Sequence, residues 1–495
     1  MSHPTAHALF SETGVAVRES WGNAEVQSAT ADSRTVQAGA LFVCMPSENR
    51  DSHQFIEQAV SSGAVAVLAH SQEGFQRAVG FGVASAWIDP KQPDFNVSVA
   101  AIVKLAYGDP SAKMRMIGVT GTNGKTTTAW MIRDALVEMG RKATYLGTLG
   151  IDVLGDHREL ANTTPFPAEM WSLLAEAADA GSEDFCMEVS SHSLQERRVA
   201  GLDFDIGVFT NLTQDHLDYH GDMGSYAEAK RLMFAEHQAT GFRSAINIGD
   251  EFGRSLREDF GATVTFGLDD ADLVAEPLEV LADRLRLKAS FGGDEESFGV
   301  PVGGLFNVWN ATAALAALLA MGESLSRSTY ALGQVSPVPG RFEAVQSEFG
   351  FSVIVDYAHT DDAMKSLLLS VQGLEHKRVI TVFGCGGDRD RAKRPKVAAV
   401  ASELSDITIV TSDNPRTEDP AQIIRDIEQG LLAGKPTQSI IDRKEAIAVA
   451  VREAQPGDIV VIAGKGHEDY QIVGREKLPM DDRVLARKAL EERGP

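Results

Sequence analysis

The chain has 495 residues, 43% hydrophobic and 23% charged, so it is long enough for two to four domains with cores of their own. Its formal net charge of −24 argues against general binding of nucleic acid or of a membrane surface, because both need a basic face. Cys44, Cys186 and Cys385 are far apart and form no C-x-x-C pair, which opposes a disulfide framework or a zinc site. We expect a cytoplasmic protein without membrane insertion, since no signal peptide and no apolar run of membrane-spanning length is apparent.

Short β-like runs alternate with helical patterns along most of the chain, which predicts an α/β fold with mainly parallel sheets. Glycine and proline punctuate the chain at 107–111 and 335–340, so we predict domains at 1–108, 109–336 and 337–495. The N-terminal piece carries a helical pattern at 53–61. The predicted strands are 40–45 and 64–69 in the first piece, 185–189, 206–210 and 245–248 in the second, and 352–355, 379–383, 407–411 and 459–463 in the third.

The segment 118–128 begins the central piece, where an apolar run enters a glycine-rich turn and Lys125 opens an amphipathic helix predicted to reach about Met139. Backbone N–H groups at such a turn point at one place and can cradle phosphate oxygens. The strict G-x-x-x-x-G-K-[ST] spacing is not met, because Val119 stands where the first glycine belongs. The strand–turn–helix context still favours a nucleoside triphosphate, with Lys125 reaching the β/γ-phosphates and Thr126 ligating Mg²⁺. We therefore expect a central domain of the P-loop ATPase type.

Polar residues follow the next two predicted strands. Glu188 lies near the end of strand 185–189, and segment 215–220 has two His and two Asp after strand 206–210. Leu217 rules out the H-E-x-x-H pattern of zinc proteases. Taken singly, such residues are ordinary caps or loop hydrogen bonders, and Lys230 in the predicted helix 225–234 is an ordinary surface lysine. Their shared place at strand ends beyond a phosphate loop favours a functional role for Glu188 and the 215–220 cluster.

Three polar loops follow strands of the C-terminal piece, at 384–390, 413–416 and 464–468. In a doubly wound, Rossmann-like sheet these loops lie together at the carboxyl ends of the strands, where ligands bind. Arginines flank the first loop, including a basic run at 391–396, and a guanidinium group pairs with a carboxylate in a bidentate manner. The third domain is therefore predicted to bind an anionic or carboxylate ligand.

Together these motifs resemble the Mur ligases, the ATP-dependent amide-forming enzymes of peptidoglycan precursor synthesis, over nearly the whole chain. The resemblance rests on Gly121-Thr-Asn-Gly-Lys-Thr-Thr127, Asn162-Thr-Thr164, Glu188-Val-Ser-Ser-His192, Asp215-His-Leu-Asp-Tyr-His-Gly221 and Asp356-Tyr-Ala-His359. With Asp413-Asn-Pro-Arg416, these segments are similar to members that add the third residue to UDP-N-acetylmuramoyl-L-alanyl-D-glutamate. Arg389 and the Asp-Asn-Pro-Arg form resemble members that add meso-diaminopimelate.

The resemblance implies a role for each of a set of residues. The implied ATP contacts are Gly121, Thr122, Asn123, Gly124, Lys125, Thr126, Thr127, Asn310, Arg341 and His359. The implied contacts to the UDP-linked peptide are Ser33, Asn162, Thr163, Thr164, Ser191 and Arg198. The implied contacts to the incoming amino acid are Arg389, Asp413, Asn414, Pro415, Arg416, Gly464 and Glu468. The implied catalytic residues are Lys125, Glu188, His216 and Lys230, and the implied Mg²⁺ ligands are Thr126, Glu188, His216 and Lys230 as a carbamyl-lysine.

The implied reaction transfers the γ-phosphoryl group of ATP to the D-glutamate carboxylate, and the amine of the third amino acid then attacks the acyl phosphate. The expected partners are these small molecules alone, the expected cofactors are ATP and Mg²⁺, and a monomer is expected. Within the class, the alternatives are a lysine-adding form or a folylpolyglutamate synthetase. Outside it, the alternatives are a P-loop ATPase that moves a partner, or an inactive scaffold relative.

Overall fold

The computed structural model describes residues 3–47, 50–91, 95–267 and 270–493. The chain forms two compact units: Met1–Ala271 with Ala316–Glu323, and Asp272–Leu315 with Ser324–Pro495. Each unit is described by itself. Among the helices of the described ranges, none combines the length and the apolar character needed to cross a bilayer.

The first unit begins with a five-stranded sheet in the order β1-β5-β4-β3-β2, in which only β1 is antiparallel to its neighbour. Its strands are β1 (Glu19–Trp21), β2 (Ser28–Thr30), β3 (Ala40–Val43), β4 (Ala64–Ala69) and β5 (Ala84–Trp87). Its helices are α1 (Ala6–Ser11), α2 (Ile56–Ser61), α3 (Gln72–Gly80) and α4 (Phe95–Tyr107), with a 3₁₀ turn at Ser52–Phe55. All four residues of β3 are buried, as expected for a parallel strand that is covered on both faces.

The second sheet of this unit has the strand order β13-β12-β11-β6-β10-β7-β8-β9. Its strands are β6 (Arg115–Thr120), β7 (Ala143–Gly147), β8 (Gly150–Val153), β9 (Asp156–Arg158), β10 (Asp184–Glu188), β11 (Phe204–Phe209), β12 (Gln238–Asn247) and β13 (Val264–Gly267). Its helices are α5 (Lys125–Glu138), α6 (Pro167–Asp179), α7 (Ser191–Gln195), α8 (Leu217–His220), α9 (Met223–Glu236) and α10 (Glu251–Phe260), with a 3₁₀ turn at Pro110–Lys113. Strand β6 lies between β10 and β11 and is parallel to both, so the loops that follow these three strands meet at one edge.

The second unit contains a three-stranded antiparallel sheet, a six-stranded sheet with the order β17-β18-β22-β19-β20-β21, and an antiparallel pair of strands, β23 and β24. The strands are β14 (Leu273–Val280), β15 (Leu285–Phe291), β16 (Asp294–Val300), β17 (Glu343–Val345), β18 (Ser352–Asp356), β19 (Val379–Phe383), β20 (Ile407–Val410), β21 (Thr437–Ser439), β22 (Ile459–Ala463), β23 (Tyr470–Val473) and β24 (Glu476–Pro479). The helices are α11 (Phe306–Ala320, whose last turn belongs to the first unit), α12 (Leu325–Leu332), α13 (Asp361–Gln372), α14 (Lys393–Leu404), α15 (Pro420–Glu428), α16 (Arg443–Glu453) and α17 (Asp482–Arg493).

Helices cover both faces of the six-stranded sheet, because successive side chains of a strand point to opposite faces. Ile354 of β18 packs into the core that includes Leu367 and Leu368 of α13, whereas Val353 and Val355 pack into the core that includes α16 and α17. Only β17 is antiparallel. The predicted α/β class and the doubly wound third domain are confirmed, while the exact domain limits stay a prediction.

Candidate active site

The loop between β6 and α5 has a backbone path that depends on two glycines. Gly124 caps α5 with φ at +85°, and Gly121 has φ at +147°. A Cβ on Gly121 would overlap Thr210 Oγ1 of the neighbouring loop. Side chains other than glycine are therefore strained at both positions. The loop also brings the N-terminus of α5 to the sheet edge, and a helix N-terminus favours anions.

Lys125 and Thr126 follow this loop and lie where the sequence predicts them. The Lys125 Nζ donates hydrogen bonds to the carbonyl oxygens of Gly121 (2.9 Å) and Thr122 (2.7 Å), so its ammonium group lies over the loop. The buried Thr126 hydroxyl donates to Glu188 Oε2 at 3.0 Å. A cation, a hydroxyl and a carboxylate are thus assembled beside the phosphate loop.

Glu188 ends β10, is buried, and has both carboxylate oxygens hydrogen-bonded. Its Oε1 accepts from the Tyr145 hydroxyl and the Thr148 N–H, both at 2.7 Å, while Oε2 accepts from Thr126 and from the Thr148 hydroxyl at 3.3 Å. A Cβ on Gly147 would overlap Oε1, so a glycine there makes room for the carboxylate. Tyr145 and Thr148 were not predicted, since each lies in sequence that is typical of an ordinary strand and turn.

Lys230 of α9 is 1% exposed, so its interpretation as an ordinary surface lysine is wrong. Its Nζ donates to the Gly121 carbonyl at 2.7 Å and lies 4.4 Å from the centre of the Tyr226 ring. Burial lowers the pKa of Lys230 well below its usual value, and the ammonium group of Lys125 acts in the same direction. A neutral amine is therefore favoured beside the phosphate loop.

His216 lies at the rim of this region, with its ring 4.8 Å from that of His192 in an edge-on arrangement. Burial lowers the pKa of His216, the Asp215 carboxylate opposes this shift, and the positive charge of Lys125 adds to it. The lowered pKa favours the neutral imidazole, which is the form that can ligate a metal. Burial also lowers the pKa of His220, whose Nε2 lies 2.9 Å from the hydroxyl of Ser191.

Five of the six residues predicted to bind the UDP-linked peptide belong to the segments around Glu188. The Thr164 hydroxyl donates to the Glu188 carbonyl at 2.9 Å, and Arg198 Nη1 donates to the Thr164 carbonyl at 3.0 Å. The Thr163 hydroxyl lies 3.1 Å from that of Thr148, which itself contacts the Glu188 carboxylate. Ser191 is buried at the start of α7. The half-buried Asn162 belongs to the same loop as Thr163 and Thr164.

The remaining predicted contact to this substrate, Ser33, follows β2, and its hydroxyl donates to Gln58 Oε1 at 3.0 Å. The same sheet carries Asp51, His53 and His70, the only group of three possible metal-ligating side chains found among the described residues. Both nitrogens of His53 are already used, since Nδ1 lies 2.8 Å from Asp51 Oδ1 and Nε2 accepts the His70 N–H at 3.2 Å. This group is therefore better explained as a hydrogen-bonded turn than as a metal site.

The predicted nucleotide contacts of the second unit centre on Tyr357. The guanidinium group of Arg341 lies 4.7 Å from the centre of the Tyr357 ring, and the His359 ring lies 4.7 Å from it on centroids. The amide of the buried Asn310 donates to Asn307 Oδ1 at 2.8 Å, within α11. The structure thus groups Arg341 with His359.

Arg389 and Arg416 flank one glycine turn, as the sequence suggests. A Cβ on Gly386 would lie 2.9 Å from Arg416 Nη1 and 3.6 Å from Arg389 Cγ, so both side chains pass this turn. Arg416 has a left-handed backbone (φ +50°), and its Nη1 donates to the Gly387 carbonyl at 2.9 Å. Two arginine side chains at one turn give this edge of the sheet a positive charge that suits a carboxylate.

The loops after β20 and β22 meet beside these arginines. Asn414 Nδ2 donates to Glu468 Oε2 at 2.9 Å, and a Cβ on Gly464 would lie 3.0 Å from Asp413 Oδ2. The Pro415 carbonyl occupies the space that a Cβ on Gly387 would need. The predicted amino-acid contacts therefore lie together at one edge of the sheet.

Arg394 belongs to the basic run at 391–396 but is only 1% exposed, so the interpretation of that run as ligand-facing fails at this residue. Its guanidinium group binds both oxygens of Glu418 and also Asp426, all within 2.8–3.0 Å. This pairing holds the pKa of Glu418 down at about 2. Glu418 also accepts the Asp388 N–H at 2.6 Å, while the Asp388 carboxylate accepts from Thr417, so Arg394 joins the two arginine-bearing loops.

Tyr357 also lies within electrostatic range of the amino-acid loops. Burial raises its pKa, Glu468 and Asp413 act in the same direction, and Arg341 and Arg389 oppose them. The two predicted groups of this unit therefore face one region at the carboxyl ends of the strands.

The chain matches three domain families over most of its length. These are the Mur ligase family, catalytic domain (residues 25–106), the Mur ligase middle domain (residues 119–318) and the Mur ligase, glutamate ligase domain (residues 340–466).

Curated relatives cover almost the whole chain. A UDP-N-acetylmuramoyl-L-alanyl-D-glutamate--2,6-diaminopimelate ligase of Geobacillus thermodenitrificans is 42% identical over 95% of this chain and 96% of its own length. A solved structure of an enzyme with that name is 31% identical, covers 98% of this chain and 99% of its own, and has a TM-score of 0.66. MurF from Acinetobacter baumannii, at 17% identity and a TM-score of 0.68 over 99% of this chain and 100% of its own, shares the fold.

Proposed function

This chain belongs to the Mur ligase family, and from that premise we propose that it joins meso-diaminopimelate to UDP-N-acetylmuramoyl-L-alanyl-D-glutamate, using ATP, in peptidoglycan precursor synthesis. The observation that carries the choice of amino acid is that the side chains of two arginines, Arg389 and Arg416, pass the Gly386 turn. Meso-diaminopimelate has one more carboxylate than lysine, and an arginine left unpaired by lysine would penalise that substrate. A monomeric state and a cytoplasmic location stay predictions.

We assign the triphosphate of ATP to the loop at 121–127. The helix N-terminus and the loop N–H groups supply donors, and Lys125 supplies a positive charge for the β/γ-phosphates. Asn310, Arg341 and His359 stay predicted nucleotide contacts of the second unit.

The donor set beside this loop fits Mg²⁺, which prefers oxygen ligands. The Glu188 carboxylate and the Thr126 hydroxyl lie 3.0 Å apart, and His216 adds a neutral imidazole. Lys230 would complete the set as a carbamate, and its lowered pKa favours the neutral amine that can add to CO₂ with loss of a proton. When bound, Mg²⁺ neutralises charge on the transferring phosphoryl group.

The chain's own residues would bring the reacting groups together and stabilise charge, since phosphoryl transfer asks for little covalent chemistry from the protein. Thr164, Ser191 and Arg198 would hold the UDP-linked peptide so that its D-glutamate carboxylate meets the γ-phosphorus. Attack of the carboxylate oxygen breaks the bond to ADP and gives an acyl phosphate. The amine, held by the loops near Arg389 and Glu468, then attacks the acyl carbon and expels phosphate.

Phosphate release with ATP, Mg²⁺ and the UDP-linked dipeptide tests this function. Three arms differ only in the amine: meso-diaminopimelate, L-lysine or none. We expect rapid release and a new tripeptide product with meso-diaminopimelate alone. Equal release in all three arms would identify an ATPase without ligase activity, and a preference for lysine would overturn the choice of amino acid while leaving the ligase.

A further inference from the structure

Lys465 is a buried cation of the second unit that the proposed mechanism does not use. It lies in the loop after β22, and its residue is 0% exposed. Its Nζ donates to Glu468 Oε2 at 2.8 Å and to Asn414 Oδ1 at 3.2 Å. Burying an ammonium group costs several kcal/mol unless its partners compensate, so the Lys465 ammonium group depends on these two acceptors.

The first consequence concerns the orientation of the Asn414 amide. Its Oδ1 faces two donors, the Lys465 ammonium and the Ile472 N–H at 2.8 Å. Rotating the amide by half a turn would place its NH₂ group against both donors. Lys465 and the Ile472 N–H together therefore fix the Asn414 Nδ2 on the side of Glu468, where it donates to Oε2 at 2.9 Å.

The second consequence concerns Glu468. Lys465 and Asn414 both bind Oε2, whereas Oε1 accepts no hydrogen bond from the described part of the chain. The side chain is 17% exposed, so Oε1 is held in one direction at an accessible surface. The second Nδ2 hydrogen of Asn414 and Glu468 Oε1 then form a fixed donor and a fixed acceptor. Such a pair matches a carboxylate and an ammonium group of one amino-acid centre.

We propose that Lys465 is a positioning residue that sets the affinity for the incoming amino acid by fixing Asn414 and Glu468. The inference rests on the proposed function, because it assumes that these two side chains contact meso-diaminopimelate. The Lys465 ammonium group donates to Asn414 and Glu468, and Lys465 itself is buried beneath these two side chains. Its effect is therefore on substrate binding and not on the chemical step.

Steady-state kinetics of Lys465→Met, with each substrate varied in turn, test this proposal. We expect the KM for meso-diaminopimelate to rise at least tenfold, with kcat and the KM values for ATP and the UDP-linked dipeptide within about threefold of the wild type. The matched control is Lys477→Met, which removes an exposed lysine of the β24 strand whose Nζ lies 3.8 Å from the centre of the Tyr470 ring. The control should change every constant by less than twofold.

A double-variant cycle separates positioning from a general loss of structure. If Lys465 acts through Glu468, the KM for meso-diaminopimelate rises less in the Lys465→Met, Glu468→Gln double variant than the product of the rises in the two single variants. A rise in the double variant equal to that product would overturn the proposal. Equal rises in the KM values for ATP, the UDP-linked dipeptide and meso-diaminopimelate would also overturn it. If Lys465→Met and Lys465→Gln both lack a cooperative thermal transition, Lys465 is required for folding and the proposal fails. A wild type that makes no product from meso-diaminopimelate would instead refute the proposed function.

Discussion

The two halves of the proposed chemistry are built in different ways. The phosphate loop is shaped by backbone geometry, with Gly121 and Gly124 setting its path and carbonyl oxygens holding Lys125 and Lys230. The amino-acid loops are instead shaped by charged side chains, with Arg394 and Lys465 buried against carboxylates. The path of the phosphate loop is set by backbone geometry, which does not titrate, whereas the ion pairs of the amino-acid loops depend on ionisation.

The two buried lysines, Lys230 and Lys465, differ in the acceptors that their side chains meet. The hydrogen-bond acceptor of the Lys230 ammonium is a carbonyl oxygen, and burial lowers its pKa well below the usual value. Lys465 donates to the Glu468 carboxylate at 2.8 Å. The first arrangement favours a lysine that can react as a neutral amine, and the second favours one that holds its neighbours in place.

The largest predicted effect comes from breaking the backbone-built site with Gly121→Ala. The new Cβ would overlap Thr210 Oγ1 and would lie 3.0 Å from the Asn211 nitrogen, at a φ of +147°. Strain of a few kcal/mol at this position should lower kcat/KM for ATP by about a hundredfold to a thousandfold. Steady-state kinetics with ATP varied will measure it.

The control for this change is Gly80→Ala, at the end of α3, where an added Cβ meets nothing within 4 Å. It should leave kcat/KM within twofold of the wild type. An active Gly121→Ala enzyme would show that the loop tolerates a side chain. The phosphate loop would then not be shaped by its glycines, and the contrast with the amino-acid loops would not hold.

The charged half is tested by Arg416→Ala. Loss of a charge-assisted contact to a substrate carboxylate should lower kcat/KM for meso-diaminopimelate by roughly thirtyfold to a hundredfold. The Kd for ATP, measured by calorimetry, should change less than threefold, because Arg416 lies in the amino-acid loops. Comparable losses in both would mean that Arg416 is structural.

The sequence predicts the phosphate loop better than it predicts the buried charged side chains. The phosphate loop is local, so 118–128 alone predicts its strand, turn and helix, and α5 begins at Lys125 as expected. The hydrogen bond from Tyr145 to Glu188 depends on β7 lying beside β10, and nothing in the sequence specifies that these two strands pair. The burial of Lys230 and Arg394 likewise results from tertiary packing. The sequence does not predict it, because a lysine or arginine on a helix is exposed in most proteins.

The smallest predicted effect is on stability, and it tests whether ion pairs hold the charged half together. Arg394, helped by the Asp388 N–H and by Arg391, lowers the pKa of Glu418 from 4.5 to about 2, so the ionised carboxylate stabilises the fold fully above pH 4.5. That stabilisation fades as the pH falls from 4.5 towards 2, because a carboxylate with a depressed folded-state pKa takes up its proton first in the unfolded chain.

Thermal unfolding of Glu418→Gln from pH 7 to pH 3.5 measures this contribution. At pH 7 to 5 the Tm should lie about 2–4 °C below that of the wild type, and the gap should narrow below pH 4.5 as Glu418 of the unfolded wild-type chain takes up its proton. Glu403→Gln, at an exposed position of α14, should match the wild type throughout. A gap that stays constant down to pH 3.5 would mean that the packing of residue 418, and not its charge, joins the two loops. The amino-acid half would then be held together in the same pH-independent way as the phosphate loop.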